Sequence, residues 1–191
     1  MIDYDETLVS TPFRDVSEDA YYHDAVLWAV NSGITSGTTA DTFSPDASCT
    51  RAQMVTFLWR AAGSPEPEGS EAPFVDVNAN AYYAKAMQWA YEQGITSGTT
   101  ASTFSPDAFC TRAQIVSFLY RTEQASGGGF QGAWMFPLPF QDVPAWAFEA
   151  AAWCYMNDIT SGTAADTFSP NASCTRAEMV SFLYRYFAET K

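Results

Sequence analysis

Nearly the same eight residues occur three times in this chain of 191 residues, and this repetition restricts the folds open to it. The copies read SCTRAQMV, FCTRAQIV and SCTRAEMV, and their threonines are 61 and 64 residues apart. The similarity extends upstream through an ITSGT segment to a Phe-x-Asp-Val sequence. A repeat of this length indicates tandem structural units. The copies begin at Ser48, Phe109 and Ser173.

We predict an all-α protein made of three tandem helix-loop-helix repeats. The repeats span residues 13–63, 74–124 and 140–188, and the linkers span residues 64–73 and 125–139. A unit of about sixty residues is close to the lower limit of independent stability, so we expect the three repeats to share one core. Apolar residues at helical spacing predict the first helix of each repeat. These helices are expected at about Ala20–Ser32, Ala81–Gln93 and Trp146–Asn157.

The repeated octets carry the signature of a helix start. A threonine followed three residues later by Gln or Glu forms a capping box, and an apolar helix follows each one. These pairs are Thr50 with Gln53, Thr111 with Gln114, and Thr175 with Glu178. The polar loop before each octet holds one large apolar residue, which we expect to enter the core. These residues are Phe43, Phe104 and Phe168.

The arginine at the first position of each of these helices needs another explanation. A cation there opposes the helix dipole by up to about 1 kcal/mol, yet a chain with 9 Lys and Arg in total places one there three times. One interpretation is a salt bridge to an aspartate of a neighbouring repeat. The other is an anionic ligand between repeats, bound by the arginine and the adjacent helix amides. The arginines are Arg51, Arg112 and Arg176, and the aspartates are Asp15, Asp76 and Asp142.

Composition and charge exclude several classes of partner. A net charge of -13 argues against nucleic acid, whose affinity comes largely from Lys and Arg, and against a polybasic membrane patch. The longest apolar runs are too short to span a bilayer, so we predict no membrane insertion. The acidic N-terminus, MIDYDETLVS, lacks the apolar region of a signal peptide. We therefore expect either a cytoplasmic protein or a piece of a longer exported one.

We interpret the four cysteines as buried free thiols, in preference to disulfides or a zinc site. Three of them share one position in the repeats, and Cys154 stands where the other repeats have alanine, as a small buried apolar residue would. With His23 as the one histidine and no CxxC pair, no metal site or cofactor is predicted. Nothing marks a catalytic carboxylate pair, so we predict a protein that is not an enzyme.

The second linker contains an unusually aromatic stretch, GAWMFPLPF. Its Trp134 and Phe136 either fasten the third repeat to the core or offer a surface to a sugar or a protein. This stretch supports an alternative function, in which the same fold binds a protein or associates with itself.

The repeat resembles the S-layer homology domain, which occurs as three tandem copies on exported proteins of bacteria with a thick or layered envelope. The resemblance runs from about Phe13 to Phe187. This chain departs from the family pattern in having cysteine where isoleucine usually precedes the threonine, and Gln53 and Gln114 where Glu is usual. In the first repeat the matching residues are Phe13/Asp15/Val16, Trp28/Ala29, Gly33/Ile34, Gly37/Thr42/Phe43/Pro45 and Thr50/Arg51/Ala52/Gln53.

The resemblance implies a pseudo-threefold, three-pronged assembly that anchors an exported protein to the cell wall. The implied partner is a secondary cell-wall polysaccharide ending in pyruvylated N-acetylmannosamine, held in grooves between repeats outside the cell. Any fused passenger domain is expected to precede the repeats. The family's ligand-binding arginine corresponds to Arg51, Arg112 and Arg176. We add, as further candidate groove residues, Gln53, Gln114, Glu178, Asp15, Asp76, Asp142, Trp28, Trp89 and Trp153.

Overall fold

The computed structural model describes residues 8–69, 71–130 and 138–189, which form six α-helices and no β-sheet. A 3-10 turn at Ala145–Ala147 precedes the fifth helix, and a π-helical turn at Arg185–Glu189 follows the sixth. The predicted all-α class is confirmed. Trp134 and Phe136 of the aromatic stretch lie outside the described residues. The helices are α1 His23–Asn31, α2 Arg51–Ala61, α3 Ala84–Glu92, α4 Arg112–Ala125, α5 Phe148–Met156 and α6 Arg176–Tyr184.

The helices pair across repeats instead of within them. The first helix of the second repeat, α3, packs on α2 of the first repeat, and α5 packs on α4 in the same way. The remaining pair is α1 with α6, which joins the first repeat to the third. The order of contacts is therefore a closed cycle of three helix pairs, because each repeat gives one helix to each of two neighbours.

Backbone hydrogen bonds between the repeats close the same cycle at the centre. The amide of Cys49 donates to the carbonyl of Cys174 at 2.8 Å, Cys110 donates to Cys49 at 2.8 Å, and Cys174 donates to Cys110 at 2.9 Å. Each extended segment before the second helix thus satisfies one buried amide and one buried carbonyl of its neighbours. This ring supplies the pseudo-threefold relation between the repeats.

The three repeats share one apolar core, as their small size predicts. The loop phenylalanines Phe43, Phe104 and Phe168 are fully buried in it, so the prediction for these residues is confirmed. Each one also contacts the phenylalanine that opens its own repeat, with 5.8 Å between the ring centroids of Phe13 and Phe43. The start of each repeat and its central loop are therefore held together by burial of aromatic surface.

The first helix of each repeat begins later than its apolar pattern predicts. Residues 20–22 form a turn, in which the amide of His23 donates to the carbonyl of Ala20, and α1 starts only at His23. The predicted end is close, because Gly33 follows the helix with φ of 68°. Asp158 occupies the equivalent left-handed position after α5 with φ of 57°, a conformation that glycine adopts more easily.

All four cysteines are free and buried, as interpreted from the sequence. Burial raises the pKa of the Cys49 thiol and that of Cys110 to about 12. Burial also raises the pKa of Cys154 and Cys174. The thiolate is the reactive form, so we expect these thiols to be unreactive in the folded protein.

We predict that none of the four thiols reacts with a disulfide reagent at a pH of about 8, although an exposed thiol is partly ionised there. All four should react once guanidinium unfolds the chain. The measurement is the absorbance of the released aromatic thiolate before and after unfolding. Rapid labelling of Cys49, Cys110 or Cys174 in the folded protein would show that the central ring opens, and rapid labelling of Cys154 would show that α5 separates from α4.

Candidate functional site

Capping boxes fix the starts of α2, α4 and α6. The Thr50 hydroxyl accepts from the Gln53 amide at 3.3 Å, and the Gln53 side-chain oxygen accepts from the Thr50 amide at 3.1 Å. The same reciprocal pairs form at the other two helices, with Gln114 and Glu178 in the third position. The predicted capping boxes are confirmed.

The first two amides of α2, α4 and α6 donate to carbonyl groups of the following repeat. The amide of Arg51 donates to the carbonyl of Ala108 at 2.9 Å, and that of Ala52 donates to Pro106 at 3.0 Å. The starts of α4 and α6 have the same arrangement. The expectation that these amides help to bind an anion is therefore wrong, because neighbouring carbonyls already occupy them.

The arginine side chains cross from one repeat to the next. The Nε of Arg51 donates to the carbonyl of Phe104 at 2.8 Å, and its guanidinium lies 4.7 Å from the centroid of the Phe104 ring. Arg51 is only 4% exposed. In the same way Arg112 donates to Phe168 and Arg176 donates to Phe43, so the three arginines link the repeats in a cycle.

The aspartates at the repeated Phe-x-Asp-Val position hold these loops and do not form salt bridges with the arginines. The two carboxylate oxygens of Asp15 accept from the amides of Phe43 and Ser44 at 2.8 and 2.7 Å. Asp76 and Asp142 do the same for their own loops. Among the ion pairs of the described residues, none joins Asp15, Asp76 or Asp142 to an arginine, so the salt-bridge interpretation is wrong.

The hydrogen bonds also set the acidity of two of these carboxyl groups. Burial alone would raise the pKa of Asp15, but donation from the amides of Phe43 and Ser44 outweighs it, and the pKa is lowered. The pKa of Asp142 is lowered by the same balance. Each carboxylate thus stabilises a loop whose carbonyl accepts from an arginine of the preceding repeat.

The first groove, groove 1/2, is a cleft of about 370 Å³ that all three repeats line. Arg51 comes from the first repeat, Gln114 and Arg121 come from the second, and Trp146 comes from the third. Residues 96–99 of the second repeat form the remaining wall. The volume falls within the range of small-molecule sites.

Groove 2/3 has the same construction one repeat further on, with a volume of about 330 Å³. Its arginine is Arg112, its wall includes Glu178 and Arg185 of the third repeat, and its aromatic residue is Tyr21 of the first repeat. Arg176 is the equivalent arginine of the third repeat, and its Nε donates to the Phe43 carbonyl of the first repeat at 2.8 Å.

Glycine is required where the loop wall turns towards the groove. Gly98 has φ of 85°, and a Cβ on it would lie 2.5 Å from the Phe74 ring and from the Thr103 carbonyl. Gly37 and Gly162 are equally crowded in the other repeats. The loop can therefore pack on the phenylalanine of its own repeat only if the residue at this position has no side chain.

The exposed aromatic residues of the grooves were not among the candidates from the sequence. Tyr21 is 69% exposed, Tyr82 62% and Trp146 62%. They occupy one position in the three repeats, immediately after an alanine. The repeated aromatic residue at that position was a sequence signal for an exposed groove residue. Tyr22 and Tyr83 follow it directly, so the sequence alone did not show which tyrosine of each pair faces outward.

The candidate tryptophans lie in the helix pairs instead. Trp28 packs against Tyr184 of α6 with ring centroids 5.7 Å apart, and Trp153 packs against Tyr120 of α4 at 5.7 Å. Trp89 is buried and lines a separate cavity with Tyr186. The structure gives these three residues a packing role, and their contact with a ligand stays a prediction.

The three arginines differ in how their charge is satisfied. In groove 2/3, Nη1 of Arg112 donates to Glu178 at 2.9 Å. Within the described residues, the buried Nη2 atoms of Arg51 and Arg176 have no hydrogen-bond partner. Burial lowers the pKa of both of these arginines, because it disfavours the charged form. Arg51 and Arg176 are therefore buried cations, each with one donor that no described residue satisfies.

Neither a metal-binding cluster nor a membrane-spanning helix occurs among the described residues. No cluster of three or more His, Cys, Asp or Glu side chains there is arranged to hold a metal ion. No helix in the same part of the chain combines the length and apolar character needed to cross a membrane.

Comparison with known sequences agrees with the repeat structure. The model of the S-layer homology domain matches residues 12–55, 73–116 and 139–180, which together cover more than half of the chain. Each matched segment runs from the start of a repeat into its second helix.

Three curated proteins illustrate the range of relatives. An endoglucanase of Bacillus sp. (strain KSM-635) is 28% identical over 87% of this chain and 18% of its own length. A cell surface protein of Thermoanaerobacter kivui is 35% identical over 59% of this chain and 15% of its own length. A cellulosome-anchoring protein of Acetivibrio thermocellus is 27% identical over 75% of this chain and 33% of its own length. The chain thus spans a third or less of each of these relatives.

We predict that Arg51→Ala lowers the free energy of unfolding by about 2 to 3 kcal/mol, since the Phe104 carbonyl loses its charged donor. The matched control is Arg14→Ala, because the Arg14 side chain is 75% exposed and pairs only with Asp41 at 3.3 Å. The control should change stability by less than about 0.5 kcal/mol. Urea unfolding measures both. An equal effect of the two substitutions would contradict a structural role for Arg51.

We predict that Asp15 and Asp142 stabilise the fold above about pH 5 and that this contribution disappears in acid. Their pKa values are lowered in the folded protein from 3.8, so folding favours the ionised form. Stability should therefore fall as the pH drops below 3.8 through the folded-state values. The double variant Asp15→Asn/Asp142→Asn should show a lower urea midpoint at neutral pH and a weaker acid dependence. The exposed Asp19→Asn is the control, and identical pH profiles for wild type and double variant would refute the prediction.

Proposed function

This chain belongs to the S-layer homology domain family, and on that premise we propose that it is a non-catalytic module anchoring a protein to the bacterial cell wall. Its ligand in this proposal is an anionic secondary cell-wall polysaccharide, with a pyruvate ketal as the charged group, held in the grooves between repeats. The observation that carries the proposal is a buried arginine with an unpartnered Nη2, which is Arg51 in groove 1/2 and Arg176 at the equivalent position of the third repeat.

The chemistry of the grooves suits a carboxylated sugar. A guanidinium donates hydrogen bonds to a carboxylate in a fixed planar geometry, and burial strengthens that attraction. The Nε of each arginine is held by a loop carbonyl, so the guanidinium is already oriented before a ligand arrives. An exposed aromatic ring on the opposite side, such as Trp146 in groove 1/2, can cover the apolar face of a sugar ring.

The relatives support attachment at the cell surface. Their names include a cellulosome-anchoring protein, a surface-layer protein of Lysinibacillus sphaericus and an S-layer protein of Bacillus thuringiensis. Others are named as enzymes, and this chain corresponds to 18% of the endoglucanase. We propose that it serves outside the cell as the attachment segment of a larger protein, whose passenger domain carries any further activity.

The test is co-sedimentation of the protein with purified walls, before and after chemical removal of the secondary polymer. Binding should disappear with the polymer. If binding survives on stripped walls, the polysaccharide is not the ligand. If the folded protein binds neither preparation, the alternative of a protein partner or self-association takes its place, with sedimentation velocity as the next measurement.

We predict that the double variant Tyr21→Ala/Trp146→Ala weakens wall binding at least about tenfold, since it removes one wall from each of two grooves. Both residues are largely exposed, so thermal stability should change little. The control is Val75→Ala, an 83% exposed apolar residue that lines neither described groove. Unchanged binding by the double variant would contradict ligand contact by the aromatic residues.

A further inference from the structure

A further cavity, of about 200 Å³, is separate from both described grooves. No described residue lines both this cavity and groove 1/2 or groove 2/3. Its volume is below the usual range of sites for drug-sized ligands, so it suits one small chemical group. We call it the aromatic cavity, and it is defined by Trp89, Tyr186 and Phe187 together with Ala62, Gln93 and Ser126.

Three helices end at the aromatic cavity. Ala62, Gln93 and Ser126 are the C-cap residues of α2, α3 and α4, and all three line it. The end of a helix carries the negative pole of the helix dipole, which is equivalent to roughly half an elementary charge. The three helix ends therefore give the rim a negative potential, although no acidic residue is among the described residues that line it.

Aromatic rings form another part of the wall. Trp89 lies on α3 of the second repeat, whereas Tyr186 and Phe187 lie on the π-helical turn that follows α6. Trp89 is 7% exposed and Tyr186 is 2% exposed, so this part of the wall is largely shielded from water. The face of an aromatic ring attracts a cation, and the attraction is strongest where the cation is desolvated.

The pair of aromatic residues is peculiar to the end of the third repeat. Arg60, Arg121 and Arg185 occupy one position in the repeats, and the two residues that follow them are Ala-Ala, Thr-Glu and Tyr-Phe. The backbone also differs, because a π-helical turn begins at Arg185. Such turns are frequent at functional sites. The third repeat therefore departs from the other two, in sequence and in backbone, where it meets the cavity.

Charged side chains do not oppose this character. Among the described residues, no Lys or Arg lines the cavity. Two charged side chains form hydrogen bonds with residues that line it. Glu123 accepts from the Tyr186 hydroxyl at 2.9 Å, and Nη1 of Arg121 donates to the Ile95 carbonyl at 3.3 Å. Because these two charges are opposite, the helix ends and the rings decide which ligand the cavity prefers.

We propose that the aromatic cavity binds a small alkylammonium group, with trimethylammonium as the type. The helix C-termini favour a positive charge, and the aromatic rings favour a cation that is weakly hydrated. An anion is disfavoured by both features, and a neutral apolar group gains nothing from the helix ends. The inference goes beyond the proposed function and does not depend on it, because the cavity shares no described residue with the two grooves.

The test uses choline chloride, with an uncharged isostere in which carbon replaces the quaternary nitrogen, and with sodium chloride as the ionic-strength control. NMR of the indole N–H groups follows binding, because Trp89 lines the cavity. Choline should shift the Trp89 signal in a saturable manner, with an affinity at least about tenfold higher than that of the isostere. Equal affinities, or no saturable shift with choline, would refute the proposal.

The matched variants are Ser126→Lys and Ser126→Gln. Ser126 is exposed, and a lysine at a helix C-terminus suits the dipole, so both variants should fold. Ser126→Lys brings a fixed cation to the rim and should abolish the choline response of Trp89, whereas Ser126→Gln should retain it. An undiminished response in Ser126→Lys would overturn the proposal.

The same two variants distinguish two sources of the ammonium group. If the group belongs to the cell wall, Ser126→Lys should sediment with purified walls less than Ser126→Gln does. If it belongs to a free small molecule, the two variants should sediment equally, while only Ser126→Gln responds to choline.

Discussion

The second helix of every repeat begins with amide groups that its own repeat leaves without acceptors. The following repeat supplies them, through the carbonyls of Ala108 and Pro106 in the case of α2. Buried amides without acceptors are strongly destabilising, so none of the three helices can start in its observed form without the neighbouring loop. Two further features depend on the same arrangement. They are the ring of backbone hydrogen bonds between the cysteines and the packing of each first helix on a neighbouring repeat.

Arg51 and Arg176 combine a structural role with a donor that the described residues leave unsatisfied. Placing Arg51 at the start of α2 is unfavourable for the helix dipole, and burying its guanidinium is unfavourable again. The Phe104 carbonyl and two phenylalanine rings offset part of this cost. They leave Nη2 unsatisfied. Local rules broken at the same place in three repeats are what one expects of a functional position.

Much of the fold follows from the sequence because its signals are local. The capping boxes and the buried loop phenylalanines each depend on a few adjacent residues, and each was predicted. The late start of α1 was missed, because the apolar pattern continues through a turn that has no distinct composition.

The candidate site was harder to predict because it is assembled from all three repeats. The sequence identified the arginines, but not that Arg51 reaches the Phe104 carbonyl while Asp76 binds the amides of the same loop. Nor does spacing show that Trp146 of the third repeat faces Arg51 of the first. The sequence also does not show that Gln114 lines the same groove as Arg51, or that Glu178 accepts a hydrogen bond from Arg112.

The contact between α1 and α6 has a consequence for the number of repeats. Open repeat arrays lengthen by adding copies, and they need special terminal units to cover their ends. Here the last helix covers the first, so every repeat is interior and no terminal unit is required. A fourth copy inserted in tandem would have to break the ring of Cys49, Cys110 and Cys174 before it found a place. The closed ring therefore limits the assembly to three repeats.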